Sequence, residues 1–180
     1  MDIRRVVTGH DDHGNAVFVS DEKVPPIRLE LMPGFEFHTL WGADRTVRLP
    51  DDGTPPEAVR YFPPLGGFRV GFFTIPPDFA TGFPPDLDVE TAITELEQKL
   101  PGLAEYAEPD DPGMHTTATV DFGVVLSGEA VLEVDDGAKV TLGPGDTYVQ
   151  NGTRHRWSNA GDVPAVIAIA LIGAHHKKVD

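Results

Sequence analysis

Four side chains in the C-terminal half could do chemistry: His115, Asp121, Tyr148 and His155. Imidazole and carboxylate groups ligate divalent cations, and His and Tyr also move protons. Spacing decides which of these groups can act together. Residues two apart on a strand share a face. "RHRWSN" therefore sets His155, Trp157 and Asn159 on one face, with Arg154, Arg156 and Ser158 on the other. His115 shares a face with Thr117, and Asp121 has the same parity. Parity is not proximity, however. Six residues of straight strand cover about 20 Å, whereas donor atoms around one metal lie within about 4 Å of each other. His115 and Asp121 can meet at one ion only if the chain turns between Thr117 and Asp121. "TTATV" has no Gly or Pro to announce that turn.

The elements that must position these groups are mostly strands. From Met114 onward the runs are "HTTATVDFGVVLSG", "EAVLEVDDG", "AKVTL", "DTYVQ", "RHRWSN" and "AVIAIALIG", separated by Gly-containing turns. Asp136-Gly137 is a strong hairpin signal. Six short strands with regular turns predict an antiparallel barrel or sandwich. Upstream, "RRVVTG" and "NAVFVS" flank "HDDHG" as a hairpin, in which His10 and His13 read as a solvated turn. In "GFEFHTLWG", period two puts Phe35, Phe37, Thr39 and Trp41 inward. His38 falls on the opposite side, expected exposed or paired rather than ligating. Residues 50 to 85 hold nine of the 17 prolines, which predicts loops interrupted by one strand, "FRVGFFTI". One helix is predicted at 88–100: Val89, Ala92, Ile93, Leu96 and Leu100 follow the 3.6 period, Asp88 caps the start, and Pro101-Gly102 ends it.

Residues 113 to 172 resemble the cupin superfamily. "PGDTYVQNGTRHRWSN" keeps that family's Pro-Gly-Asp turn at 144–146, and the spacing of Gly152, His155 and Asn159. The first family motif is thinner: His115 stands for its first His, Thr117 replaces the second, Asp121 stands for the Glu, and Gly128 follows seven later. The resemblance implies an all-β jelly-roll barrel. Its core spans 113–173, and residues 1–112 form an extension of strands, Pro-rich loops and the helix, packed on it as one structural domain. It also implies the turn that brings His115, Asp121 and His155 together. Two His and one carboxylate suit a divalent metal (Fe, Mn, Ni or Zn) with open positions. Thr117, Gln150, Trp157 and Asn159 would then surround the pocket, with Tyr148 and His155 as acid–base groups. The alternative is a fold that persists without metal, the two histidines lining a cavity.

The resemblance implies a metal-dependent enzyme, a dioxygenase or decarboxylase, acting on a small organic-acid or aromatic substrate. A non-catalytic binder or a dimerisation domain stands against it. Composition narrows the partners. Net charge is −15, which disfavours nucleic acid and anionic membrane surfaces. There are no cysteines, so disulfides and thiolate sites are excluded. "MDIRRVVTGHDDHG" has no apolar signal core and no apolar run approaches a membrane span, giving a cytoplasmic expectation. On the strand carrying Asp121, the face opposite holds Phe122, Val124 and Leu126. Covering it predicts a homodimer.

Overall fold

Alternating side chains and Gly turns do build an antiparallel two-sheet barrel. The structure is a computed structural model describing residues 2–77, 86–111 and 113–177. The first strands, β1 (Ile3–His10) and β2 (Ala16–Val24), pair as a ribbon across the HDDHG turn. Next come β3 (Glu36–Ala43) and β4 (Phe68–Ile75). A helix, α1 (Val89–Lys99), precedes β5 (Thr119–Ser127), β6 (Ala130–Glu133), β7 (Lys139–Leu142), β8 (Thr147–Asn151), β9 (Arg156–Ser158) and β10 (Ala165–Gly173). One sheet has the order β3-β4-β10-β5-β8 and the other β7-β6-β9. All their pairings are antiparallel. The N-terminal part thus supplies two of the five strands of the larger sheet.

The core lies between the sheets. Phe37, Phe73, Ile167, Val125 and Tyr148 come from the large sheet and Ala130 from the small one, with Leu96 of α1 and Leu100, the residue that caps its C-terminus, in the same cluster. The helix starts as the sequence predicts: the Asp88 side chain accepts hydrogen bonds from the Thr91 amide and hydroxyl. It satisfies an amide that the first helical turn leaves free. Ala92 and Leu96 are buried, whereas Ile93 faces solvent. The β6–β7 hairpin turns at Asp136 and Gly137, both at positive φ (60° and 72°), as the sequence signal requires. Residues 78–85 of the Pro-rich stretch lie outside the described residues.

Two local readings need correction. Period two in β3 fails at His38 and Thr39, the first buried and the second exposed rather than inward, and a bulge follows between Thr39 and Trp41. An extra residue in one strand shifts the alternation that follows it. His38 is neither exposed nor paired: it is 1% exposed, and neither ring nitrogen has a hydrogen-bond partner. The β1–β2 ribbon reaches this strand, with Arg5 donating to the Leu40 carbonyl at 2.8 Å. Covering of this kind, a tertiary effect, is invisible to a pattern read along one strand.

Candidate functional site

The site begins with a backbone contact. His115 and His155 form an isolated antiparallel bridge outside the named strands. Each amide donates to the other's carbonyl at 3.0 Å. A second bridge ties Ala107 to His115. Arg154 and Arg156, on the outer side of this pairing, clamp the approach segment. Arg154 donates to Glu108 and, at 2.7 Å, to Asp111. Arg156 reaches Asp111 at 2.9 Å and binds Glu133 through two nitrogens. Bidentate guanidinium–carboxylate pairs fix geometry as well as charge, so 108–111 is pinned beside β6 and β9.

The two imidazoles lie side by side, ring centroids 4.2 Å apart and inclined by 51°. In each ring Nδ1 faces a carbonyl two residues earlier: Gly113 O at 3.0 Å for His115, Thr153 O at 2.9 Å for His155. A nitrogen on a carbonyl must carry the proton, which leaves the lone pair on Nε2. Neither Nε2 has a hydrogen bond among the described residues. Burial keeps both rings neutral. It lowers His115, and it brings His155 down to about 3 with neighbouring His115 adding to the effect. Gln150 shares the support, its Nε2 donating to the same Thr153 carbonyl at 3.1 Å.

Asp121 does not complete a triad. The chain does bend at Ala118, but β5 begins at Thr119, and Asp121 sits inside the large sheet between Leu171 and Gln150. Among the described residues no three His, Cys, Asp or Glu side chains converge on a common metal position. The expected metal set of His115, Asp121 and His155 is therefore divided: the histidines meet and the carboxylate stands apart. Asp121 is 4% exposed, and its Oδ1 has no hydrogen-bond partner. Burial pushes it up to about 6, with Thr119 pulling the other way.

The remaining expected residues separate by role. Tyr148 packs on Trp157 at 4.7 Å, and Trp157 lies 6.4 Å from His155. The Tyr148 hydroxyl is buried without a partner. Burial, with the Asp121 charge adding, holds its proton far above the ordinary phenol range. Thr117 is buried, its hydroxyl 2.8 Å from that of Thr119. Asn159 is occupied with backbone: it donates to Ile75 O and Val163 O, and accepts from the Gly161 amide. It fastens the β9–β10 connection to β4. Tyr61, from the Pro-rich stretch, was not foreseen; it is half-buried against the core and feels the Asp121 charge. Nothing near it in sequence marks it. Thr119, by contrast, shares strand parity with Asp121 and was legible.

An antiparallel two-sheet barrel holding two histidines from separate motifs defines the class. A family model described as "Cupin domain" matches residues 102–172. Oryzines biosynthesis cluster protein J of Aspergillus oryzae is 35% identical over 127 residues, covering 61% of this chain and 69% of that protein. The chain belongs to the cupin superfamily. Cupin-domain-containing oxidoreductase fogC of Aspergillus ruber is 25% identical over 174 residues, covering 93% of this chain and 71% of that protein. Among solved structures, the Schizosaccharomyces pombe Cnp3 cupin domain matches 96% of this chain and 83% of its own, at 9% identity and a TM-score of 0.46. No helix among the described residues is long and apolar enough to cross a membrane.

Proposed function

We propose that this protein is a small-molecule oxidoreductase of the cupin type, with its reaction centre at the His115–His155 pair. One observation carries the reading: two neutral imidazoles, fixed side by side, keep both Nε2 lone pairs open beside an aromatic wall. Relatives named as cupin-domain-containing oxidoreductases support the reaction class. A relative named as an oryzines biosynthesis cluster protein supports a role in biosynthesis.

His115 Nε2 and His155 Nε2 are the atoms that would hold a divalent ion (Fe, Mn, Ni or Zn), whose chemistry there would be to polarise a substrate oxygen. Two imidazoles are fewer than the three protein ligands such centres use, so no step is derived through the ion. The chain's own groups divide the remaining work. Tyr148, always protonated, donates a hydrogen bond to a substrate oxygen. Trp157 walls the site and excludes water.

Metal analysis tests the centre. Protein purified without chelator should carry one divalent ion per chain, and His155→Ala should lose it with its circular dichroism unchanged. If wild-type protein takes up none of the four metals, the metal part of the reading fails. The missing third ligand favours a second reading in that event: a metal-free cupin that binds a small molecule without turning it over.

A further inference from the structure

A cavity lies on the β3 side of the barrel, with a volume of about 290 Å³. That is near the lower end of the roughly 300–1,000 Å³ common for small-ligand pockets. None of His115, Asp121, Tyr148 or His155 lines it. Two of its lining residues carry unspent hydrogen-bonding groups. His38 is 1% exposed and both its ring nitrogens lack partners. Arg5 Nε is likewise buried and unpartnered. Buried polar groups are normally satisfied, so orphans gathered on one cavity mark a place where a partner belongs.

The unspent donors on the wall, rather than net charge, say what kind of partner, since each of its cations is ion-paired. The chain as a whole carries −15, yet the lining contains Arg5, Arg60, Arg69 and Lys99 and no Asp or Glu among the described residues. The carboxylates that pair with these cations, Glu22, Glu105, Asp44 and Glu95, are not part of the wall. Arg69 is spent on three backbone carbonyls and Asp44. Arg5 keeps one N–H free, and a neutral His38 keeps one N–H to give. The rest of the wall is flat and apolar: Trp41, Tyr61 and Phe37. The Arg5 guanidinium already lies 5.8 Å from the Trp41 ring centroid.

We propose that this cavity binds a small organic acid, its carboxylate received by Arg5 Nε and His38 and its planar body held against Trp41 and Tyr61. The site is separate from the His115–His155 pair and does not depend on the reaction assigned there. Arginine and an imidazole N–H supply charge-assisted bonds to the anion. The aromatic wall supplies area at little entropic cost.

Benzoate is a suitable probe, with benzyl alcohol as its uncharged counterpart. Ring proton–nitrogen correlations of the histidines are followed during titration of the full chain. Benzoate should shift the His38 resonances and leave those of His115 and His155 in place. Benzyl alcohol should bind at least about tenfold more weakly, the loss of a charge-assisted pair. Arg5→Gln and His38→Gln should each weaken benzoate by about tenfold. The two sit on different strands, so if one variant fails to fold the other still decides. The proposal is overturned if benzoate does not bind, if it shifts His115 and His155 instead, or if benzyl alcohol binds as well as benzoate. Metal content of the same preparations reports separately on the reaction centre.

Discussion

Asp121 is a buried carboxylate with one oxygen lacking a hydrogen-bond partner. Its folded-state value of about 6 lies above the ordinary 3.8, so the unfolded chain ionises it more easily than the folded one. The native state is penalised wherever this carboxylate is charged, and stability returns as pH falls through 6 toward 3.8. Asp121→Asn keeps the shape and removes the charge. It should stabilise the protein above the folded-state value by up to about 3 kcal/mol, with the gain vanishing toward 3.8. His155 works in the opposite direction. Its folded value, about 3, lies below the ordinary 6.5, so stability is lost as pH falls from 6.5 toward 3. His155→Gln should flatten that acid limb. Urea denaturation across a pH series reads both effects; an Asp121→Asn variant less stable than wild type in neutral buffer would show that the carboxylate has a partner worth more than its burial costs.

Across the large sheet one row runs Thr39, Gly71, Ile169, Gly123, Tyr148. Gly123 is there for space: a Cβ on it would lie 2.3–2.5 Å from Tyr148 ring atoms and hydroxyl. Tyr148 has little room to retreat, with Trp157 4.7 Å away. Gly123→Ala should therefore cost about 1–3 kcal/mol, the usual range for overpacking a core. Tyr148→Phe should not rescue it, because ring carbons approach as closely as the oxygen. Equilibrium unfolding of the three variants checks this, and a full rescue would mean the hydroxyl alone makes the clash. At this scale the sequence was readable where signals are local. The helix cap at Asp88, the turn at Asp136-Gly137 and the strand at "FRVGFFTI" all stand where their residue types put them. The site was legible only by halves. His115 and His155 meet as the family resemblance implied. The separation of Asp121 and the burial of His38 arise from strand order and tertiary packing, which no spacing along the chain encodes. β5 also starts at Thr119 rather than at His115, because the backbone before it pairs with His155 instead of joining the sheet.

Among the described residues the large sheet leaves a broad surface uncovered. On the outer face of the large sheet Val70, Phe122, Leu126, Val149 and Ile172 are each at least 37% exposed. Leu40, Phe72, Val124, Ala168 and Ala170 deepen it into a shallow apolar depression whose lining includes no Asp, Glu, Lys or Arg. Two chains that each carry −15 repel, and contact through a face without charge is the least opposed route. A second copy of this chain is the occupant we expect, in an isologous dimer. Light scattering should give twice the 19.5 kDa chain mass, and Phe122→Glu should return the monomer. A wild-type monomer at micromolar concentration would sink the expectation.

The backbone bridge between His115 and His155 has a consequence for how such a centre can change over generations. The backbone separation of positions 115 and 155 is written in main-chain atoms, which any residue but proline supplies. Either histidine can therefore be exchanged for another side chain, and regained later, without dismantling the frame that holds its neighbour. A centre held this way can lose its chemistry and acquire a different one while the barrel around it stays the same.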